Sequence, residues 1–518
     1  MDVARPDVSS CGCRIGEHGW LGIGWSGTRA RRRPQRLAAL VALEDVLVET
    51  IAKCEKSVVS IARIRRRPVA DNSPNFGAPD FFRGGRASND PPENPTNPDF
   101  IPNEFGTGVV IDAKGLILTN YHVVVRSDDS DGEAERGFES ELWVTTIDRR
   151  PYRAKIVGAD PRSDLAVLSI EAEGLTPISM GDAALLRKGQ IVISLGNPYA
   201  IARDGQVSAA WGIVANLARK AGPVPAEDIR DGRTTLHHFG TLIQTDAKLN
   251  LGTSGGPLLN LKGEMVGLTT SQAALAGYEQ AAGYAIPVDG PFKRIIDDLK
   301  NGREVEYGFL GIGPTNLSSE ERLNGANGMR VGAVLAGMPA MRAGLKTDDV
   351  VLAVDGERVY DVDGLMLYVG RQAVESVTRL TIMRDGHTMS VDVELGKFPV
   401  RGEQIVTSPR PAWRGLKVDY ASMLTNEMQF RGGFGFPGEP VDMSGVAVMD
   451  VVRDSAAWKA GLRPNTIVSH VGGTTVHNPR EFLAAVEDKA GDVELRVSSL
   501  ATDFSARRLT VQDEQEGN

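Results

Sequence analysis

Three residues far apart in the chain, His122, Asp164 and Ser254, have the types and the order that nucleophilic hydrolysis needs. Ser254 lies in NLGTSGGP (250–257), packed among Gly252, Gly255 and Gly256. A serine hydroxyl is a weak nucleophile at neutral pH and needs an adjacent base. His122 can take the proton and return it to a leaving amine, while a carboxylate such as Asp164 would fix the imidazole tautomer and stabilise the imidazolium. The glycines let the backbone bend so that N–H groups converge on a developing oxyanion, with the N–H groups of Gly252 and Ser254 as the candidate donors. Taken singly, a glycine-rich serine reads as a turn, a lone histidine as structural, and an aspartate before an apolar strand as a cap. Their joint occurrence, in this order and in these contexts, is what points to chemistry.

GTSGG also fits G-x-S-x-G, the nucleophile elbow, whose acid and histidine follow the serine in the chain. After Ser254 the only histidines are His387, His470 and His477, all within C-terminal repeated segments. The surroundings are β-rich rather than alternating β and α. Both observations go against the elbow, and the order His, Asp, Ser is that of chymotrypsin-like barrels.

The elements around these residues must hold them rigidly. His122 ends the apolar run LILTNYHVVV, and Asp164 opens the strongly apolar LAVLSI; strand ends suit groups that must be placed closely. From Phe105 to Val288, short β-rich runs recur between turn residues without intervening helices, the signature of an antiparallel sandwich or barrel. Residues 47–65, VLVETIAKCEKSVVSIARI, begin as an amphipathic helix and end as a strand. Residues 66–104, rich in Pro, Asn, Asp and Gly and carrying Phe76, Phe81 and Phe82, read as a long irregular loop, and the acidic 126–141 as a solvated one.

Beyond about residue 300 the pattern changes to an internal duplication: MRAGLKTDDVVLAVDGERV (341–359) and WKAGLRPNTIVSHVGGTTV (458–476) share a basic residue two before Gly-Leu, then an apolar strand and a turn. Each is preceded by an apolar run and followed by a helical stretch. Residues 399–412, PVRGEQIVTSPRPA, read as a linker between the copies.

With 518 residues the chain is long enough for several domains, and its 41% apolar and 24% charged residues are those of a soluble globular protein. A net charge of -9 gives no general affinity for nucleic acid. No apolar run approaches the roughly 18 residues that span a bilayer. Three cysteines, Cys11, Cys13 and Cys54, make no disulfide framework, and no Cys/His cluster suggests a metal site. TRARRRPQRLAALVAL (28–43) has the basic-then-apolar order of an export signal, but it lies far from Met1 and runs into Glu44 and Asp45. GIGWSG (22–27) fits G-x-G-x-x-G without a preceding strand and reads as flexible tail.

Together these residues resemble the HtrA (Deg) family of serine proteases. GLILTNYHV (115–123) matches the family's histidine motif, DLAVL (164–168) its aspartate motif, and TDAKLNLGTSGGPL (245–258) closely follows its serine motif; SLGNPY (194–199) and GYAIPVD (283–289) resemble further signatures. The resemblance covers roughly residues 47–500. It implies a mostly β fold: a two-lobed chymotrypsin-like β-barrel protease domain over 47–300, followed by two α+β PDZ domains at 305–398 and 413–514. Residues 1–46 are then a leader or tail without fixed structure, or a misplaced signal region.

The resemblance also implies ATP-independent cleavage of unfolded or misfolded proteins, trimer-based oligomers, and a periplasmic or envelope setting; hydrolysis by His, Asp and Ser calls for no cofactor. By it, Leu249 and Leu268 line an apolar specificity pocket favouring small to medium aliphatic residues. In PDZ domains a peptide tail adds a strand to a sheet edge and its carboxylate is caught by a turn's N–H groups. Phe309, Leu310, Gly311 and Ile312 are the expected turn in the first copy, Gly415 and Leu416 in the second. The sequence departs from the family at Thr253 (usually Asn) and Leu251 (commonly Pro or Arg), both in the oxyanion loop. It departs again in 199–215 with Trp211, at Asn465 and Thr466, and by the insert 420–444. The alternative function is a chaperone or peptide-binding scaffold with a resting protease domain.

Overall fold

The computed structural model describes residues 32–66, 104–125, 139–197, 206–220, 234–250, 252–270, 282–425, 443–487, 489–499 and 506–513. The loop 66–104 apart from its ends, most of the acidic 126–141, Leu251 and most of the 420–444 insert lie outside them. Two compact units are present, residues 1–49 and 50–518. In the first, the described residues belong to the helix Arg32–Cys54. The expectation of a tail without structure over 1–46 is thereby corrected from Arg32 onward: Gln35 to Cys54 contains no Gly or Pro, and its Leu, Ala and Glu favour helix. Among the described residues no helix is long and apolar enough to cross a membrane.

The second unit is built mainly from β-strands. The first barrel consists of β1 (Val58–Arg66), β2 (Glu104–Asp112), β3 (Leu116–Thr119), β4 (Glu139–Thr145), β5 (Pro151–Asp160) and β6 (Leu165–Ile170). They pair antiparallel in the order β5-β4-β1-β2-β3-β6, and β6 returns to β5 to close the circle. Closure removes the open edges that a flat sheet would leave. Val59, Ile61, Val110, Ile117, Val144 and Leu168 fill its core.

The second barrel contains β7 (Ser179–Met180), β8 (Ile191–Gly196), β9 (Ser208–Arg219), β10 (Leu242–Thr245), β11 (Pro257–Leu259), β12 (Glu264–Thr270) and β13 (Gly283–Pro287). Six of these close in the order β11-β8-β9-β10-β13-β12, and β7 attaches in parallel to β12. The helix Gly290–Lys300, capped by the Asp289 carboxylate on the Phe292 N–H, then buries Phe292, Ile295, Ile296 and Leu299.

The first repeat contains β14 (Gly308–Phe309), β15 (Ile312–Asn316), β16 (Met329–Val334), β17 (Val350–Val354), β18 (Glu357–Arg358), β19 (Val377–Arg384), β20 (His387–Glu394) and β21 (Gly396–Lys397), with the helix Val362–Gly370. After it comes β22 (Ile405–Val406). The second repeat contains β23 (Leu416–Tyr420), β24 (Val446–Val451), β25 (Thr466–Val471), β26 (Thr474–Thr475), β27 (Val493–Ser499) and β28 (Arg507–Val511), with the helix Pro479–Glu487. The orders β15-β16-β17-β19-β20 and β23-β24-β25-β27-β28 are the same, and β18 and β26 occupy matching places. The duplication read from the sequence is therefore a duplication of fold.

The stretch 399–412 does join the repeats, but it is not a free linker. Within it β22 pairs with β5, Ile405 opposite Ala159 and Val406 opposite Gly158. Thr407 Oγ1 donates to the Val157 carbonyl at 2.7 Å, and the Ser408 N–H donates to the Gly302 carbonyl at 2.8 Å. Composition alone hid this, because Ile405 and Val406 are a very short apolar run among loop residues.

Candidate active site

The turn from β5 to β6 carries Asp164, and β3 ends at Thr119, one residue before Asn120 and three before His122. Because β3 and β6 are neighbours, Thr119 lies opposite Ala166 and the two strand ends deliver His122 and Asp164 to one place. His122 Nδ1 lies 2.8 Å and 2.9 Å from the two Asp164 carboxylate oxygens, and the His122 N–H donates to Oδ1 at 3.1 Å. Thr270, at the end of β12 in the other barrel, donates its hydroxyl to Oδ2 at 3.2 Å. Asp164 is buried and has φ of 55°, a left-handed conformation uncommon for a residue with a side chain. Its carbonyl anchors that conformation by accepting from the Tyr121 N–H at 3.0 Å and Asn120 Nδ2 at 3.1 Å.

A carboxylate on Nδ1 places the proton there and leaves Nε2 as the acceptor nitrogen of a neutral imidazole. His122 Nε2 is buried with no hydrogen-bond partner among the described residues. It is thus a base with a vacant lone pair.

Ser254 follows β10 in a loop that crosses back to the first barrel. Its carbonyl accepts from the Thr107 N–H on β2 at 2.9 Å, and Thr107 Oγ1 donates to the Gly252 carbonyl at 2.8 Å. A β-carbon on Gly106, the residue before Thr107, would stand 2.6 Å from Val123 and 3.4 Å from the Ser254 carbonyl oxygen. The serine loop therefore lies against the strand that also supports the His122 turn. Gly252 has φ of 94°, and a β-carbon there would stand 2.6 Å from the Asn197 carbonyl oxygen and from the Phe105 ring. Gly255, with φ of 85°, would put a β-carbon 2.1 Å from the Thr107 carbonyl oxygen. Both positions demand glycine, as the spacing of NLGTSGGP suggests. The Gly252 N–H has no acceptor among the described residues. Thr253, the departure from the family pattern, donates its hydroxyl to the Asn250 carbonyl at 2.7 Å, while its own carbonyl accepts from Thr269 Oγ1 at 2.6 Å. It braces the loop from both sides.

Of the two leucines expected in a specificity pocket, Leu249 is half-buried and packs over Gly283, where a β-carbon would meet its Cδ1 at 2.7 Å. Leu268 is a correction. It is fully buried at 0% exposure, paired with Pro257 on one side and Ile286 on the other. At 0% exposure Leu268 has no surface open to a substrate in this structure.

The Asp164 turn is gripped from a second direction. Tyr307, at the start of the first repeat, donates its hydroxyl to Asp160 Oδ2, which also takes the Ser163 N–H at 2.8 Å and the Ser163 hydroxyl at 2.6 Å. Gln404, beside β22, donates to Asp160 Oδ1 at 2.8 Å. Arg162 is buried with its guanidinium carbon 3.7 Å from the Phe398 ring centroid and 5.3 Å from that of Tyr307. Burial pulls Arg162 down to about 10, against the opposing pull of Tyr307 and Asp160, so it stays charged at neutral pH. Burial also lowers His237 below its ordinary value. Neutral His237 gives its Nε2 proton to the Ser163 carbonyl at 2.9 Å and accepts at Nδ1 from Thr241 at 2.9 Å. Sequence reasoning missed Thr107, Thr270, Asp160, His237 and Tyr307. Only DPRSD, which holds Asp160 beside Asp164, carried a local signal.

The two turns expected to catch peptide tails differ. In the first repeat Gly311 has φ of 78° and the N–H groups of Leu310 and Gly311 meet no acceptor among the described residues, while the side chains of Leu310 and Ile312 enter the domain core. Phe309 points elsewhere, stacking edge-on against Phe398 and packing beside Met338, Ala421 and Leu424. In the second repeat the expectation for Leu416 is corrected. Arg414 (φ 46°) and Gly415 (φ 80°) make a tight turn in which the Leu416 N–H donates to the Trp413 carbonyl at 2.7 Å and the Trp413 N–H to the Leu416 carbonyl at 2.9 Å. The Leu416 N–H is thereby used within the turn, while those of Arg414 and Gly415, like those of Leu310 and Gly311, meet no acceptor among the described residues. The Trp413 ring packs edge-on against Phe482, 5.8 Å between centroids.

Two closed β-barrels with a His–Asp pair held at a strand junction, an upstream-anchored serine loop, and a following domain with a free N–H turn define a chymotrypsin-like serine protease carrying PDZ domains. Residues 106–268 match the trypsin-like peptidase domain and residues 308–395 the PDZ domain. A probable periplasmic serine endoprotease DegP-like from Halomonas elongata is 31% identical over 402 residues, covering 76% of this chain and 76% of the relative. The corresponding protein of Hahella chejuensis is 28% identical over 460 residues, covering 84% and 87%. Among solved structures, the HtrA-type protease AlgW with a decapeptide is similar, at TM-score 0.49 and 24% identity over 68% of this chain and 98% of that one. The chain belongs to the DegP-like serine endoproteases of the HtrA family, and it is a serine endopeptidase with a peptide-binding PDZ domain.

Proposed function

We propose that Ser254 is the nucleophile, His122 the general base and acid, and Asp164 the group that orients it. The observation that carries this reading is the two-oxygen contact of Asp164 with Nδ1, which leaves the buried Nε2 of His122 without a partner among the described residues. Ser254 Oγ attacks the scissile carbonyl carbon as its proton passes to Nε2. The oxygen of the tetrahedral adduct takes its negative charge toward the N–H groups of Gly252 and Ser254. Collapse breaks the C–N bond, the amine leaves with the proton from Nε2, and water repeats the sequence on the acyl-enzyme. Leu249 gives the specificity pocket an apolar wall, so discrimination among aliphatic residues is worth only about 1–3 kcal/mol and cleavage is broad.

The protease domain is read over 47–300, the two PDZ domains over 305–398 and 413–514. Substrates are unfolded or misfolded proteins, cut without ATP, and free C-terminal tails are held at the Leu310–Gly311 turn of the first PDZ domain. The setting is the periplasm or cell envelope, which the names of the relatives support, and the assembly is a homotrimer or a multiple of it. The test is cleavage of casein by the wild-type chain and by Ser254→Ala. Loss on the order of 10⁴-fold or more in the variant is expected; equal cleavage by both would remove Ser254 from the mechanism.

A further inference from the structure

Of the two edge strands of the first PDZ domain's sheet, β15 and β20, β15 lies next to the turn whose N–H groups meet no acceptor among the described residues. Which of its backbone groups face outward follows from the bonds they do not make inward. The Gly311 carbonyl accepts from the Leu335 N–H at 2.9 Å, so Gly311 turns its carbonyl toward β16 and Ile312 faces the opposite way. Val331, opposite Pro314, spends both its groups on the other side: its N–H donates to the Asp349 carbonyl and its carbonyl accepts from the Asp348 N–H, each at 2.8 Å. The backbone of Pro314 therefore also faces outward. Ile312 and Pro314 are the two successive residues that an added antiparallel strand would read.

Proline has no N–H. A tail whose carboxylate sits at the Leu310–Gly311 turn runs antiparallel to β15. Its last residue finds both the N–H and the carbonyl of Ile312 within the ladder. Its third-from-last residue can donate to the Pro314 carbonyl, but its own carbonyl meets ring carbon where an N–H would be. A proline on an exposed edge also blunts unwanted strand pairing, and the same property acts on any ligand that pairs there.

We infer that Pro314 is a specificity-determining residue that shortens the reach of this PDZ domain, so that the free carboxylate and last residue of a protein tail dominate recognition and the backbone further upstream contributes little. The inference rests on the reading of the Leu310–Gly311 turn as the carboxylate site.

The test uses the full chain carrying Ser254→Ala, so that ligands are not cut, with and without Pro314→Ala. Probes are fluorescein-labelled decapeptides ending in Val, Leu or Phe with a free carboxylate, their C-terminal amides, and versions with an ester in place of the amide between the third-last and second-last residues. The ester weakens the carbonyl that Pro314 cannot serve. Anisotropy titrations should show no ester penalty with Pro314, tighter binding of the all-amide peptide to the Pro314→Ala chain by about 2- to 10-fold, and an ester penalty of similar size appearing only there. An ester penalty equal in both chains overturns this inference alone. No binding by any free-carboxylate peptide, or equal binding by the amides, overturns the carboxylate site and this inference with it.

Discussion

Tyr307, where the first PDZ domain begins, donates its hydroxyl to Asp160, four residues before the carboxylate that orients His122. Asp160 passes the restraint on through Ser163, whose N–H and hydroxyl both bond to it. The PDZ domain thus holds one side of the turn carrying Asp164, and the protease holds the other through His237.

Removing only the phenolic oxygen tests this grip. Tyr307→Phe keeps the ring beside Arg162 and leaves the buried Asp160 short of one donor. Because small displacements of a catalytic constellation are costly, kcat on a short chromogenic peptide should fall about 10- to 100-fold with KM little changed. A variant whose loss lies in KM alone, or in yield of folded protein alone, would show that the contact serves only docking.

Lys397 is 1% exposed and its ammonium lies 2.6 Å from Glu304, 2.6 Å from Asp419 and 3.4 Å from Glu306. It ties the end of the first PDZ domain to the segment before it and to β23 of the second. Burial lowers its affinity for the proton, but the three carboxylates outweigh this and the net position is above the ordinary 10.5. A folded-state value raised above the unfolded one means that the contribution is complete below about 10.5 and is lost as pH rises through the folded value. Lys397→Met leaves Glu304 uncompensated and Glu306 and Asp419 with only the partly exposed Arg410, and should destabilise by about 3–5 kcal/mol near neutral pH. In thermal unfolding, the gap between wild type and variant should persist up to about pH 10.5 and narrow above it. A gap that does not depend on alkaline pH would assign the effect to packing.

In the second PDZ domain Leu416 spends on the Trp413 carbonyl the N–H that its counterpart Ile312 turns outward, which leaves a weaker carboxylate turn. Calorimetric titration of the full Ser254→Ala chain with a free-carboxylate peptide should therefore give about one site per chain, unchanged by Trp413→Phe. A stoichiometry near two would mean that the Trp413 turn opens to ligand.

Much of this was readable before any coordinates. The order His122, Asp164, Ser254 and the glycines around the serine constrain chemistry directly, and residue types alone carry that signal. The strands were readable because their apolar runs are bounded by turn residues, and the duplication because AGL and its following strand recur in both copies. What escaped was set by pairing across the chain. Asp160 and Tyr307 are 147 residues apart, and nothing local marks a tyrosine that will meet a buried carboxylate. Leu268 and Leu249 are alike as letters; only the fold buries the first completely and leaves the second half-buried. Leu416 looked like Ile312 by position, and the difference lies in the left-handed backbone of Arg414. Ile405 and Val406 gain their strand from an edge on β5.

That last pairing changes what kind of object the first PDZ domain is. The chain leaves the protease at Gly302 and comes back to it at Ser408, where the two backbones are bonded to each other. The domain is consequently a handle welded at both ends, not a bead on a thread. A single nick anywhere between those welds leaves both pieces attached, whereas ending the chain at residue 300 strips β22 from the first barrel and bares the Gly158–Ala159 segment of β5. During synthesis the barrel also waits, with that segment unpaired, until residue 406 has emerged. The catalytic unit is finished only after the domain that follows it in sequence has been made.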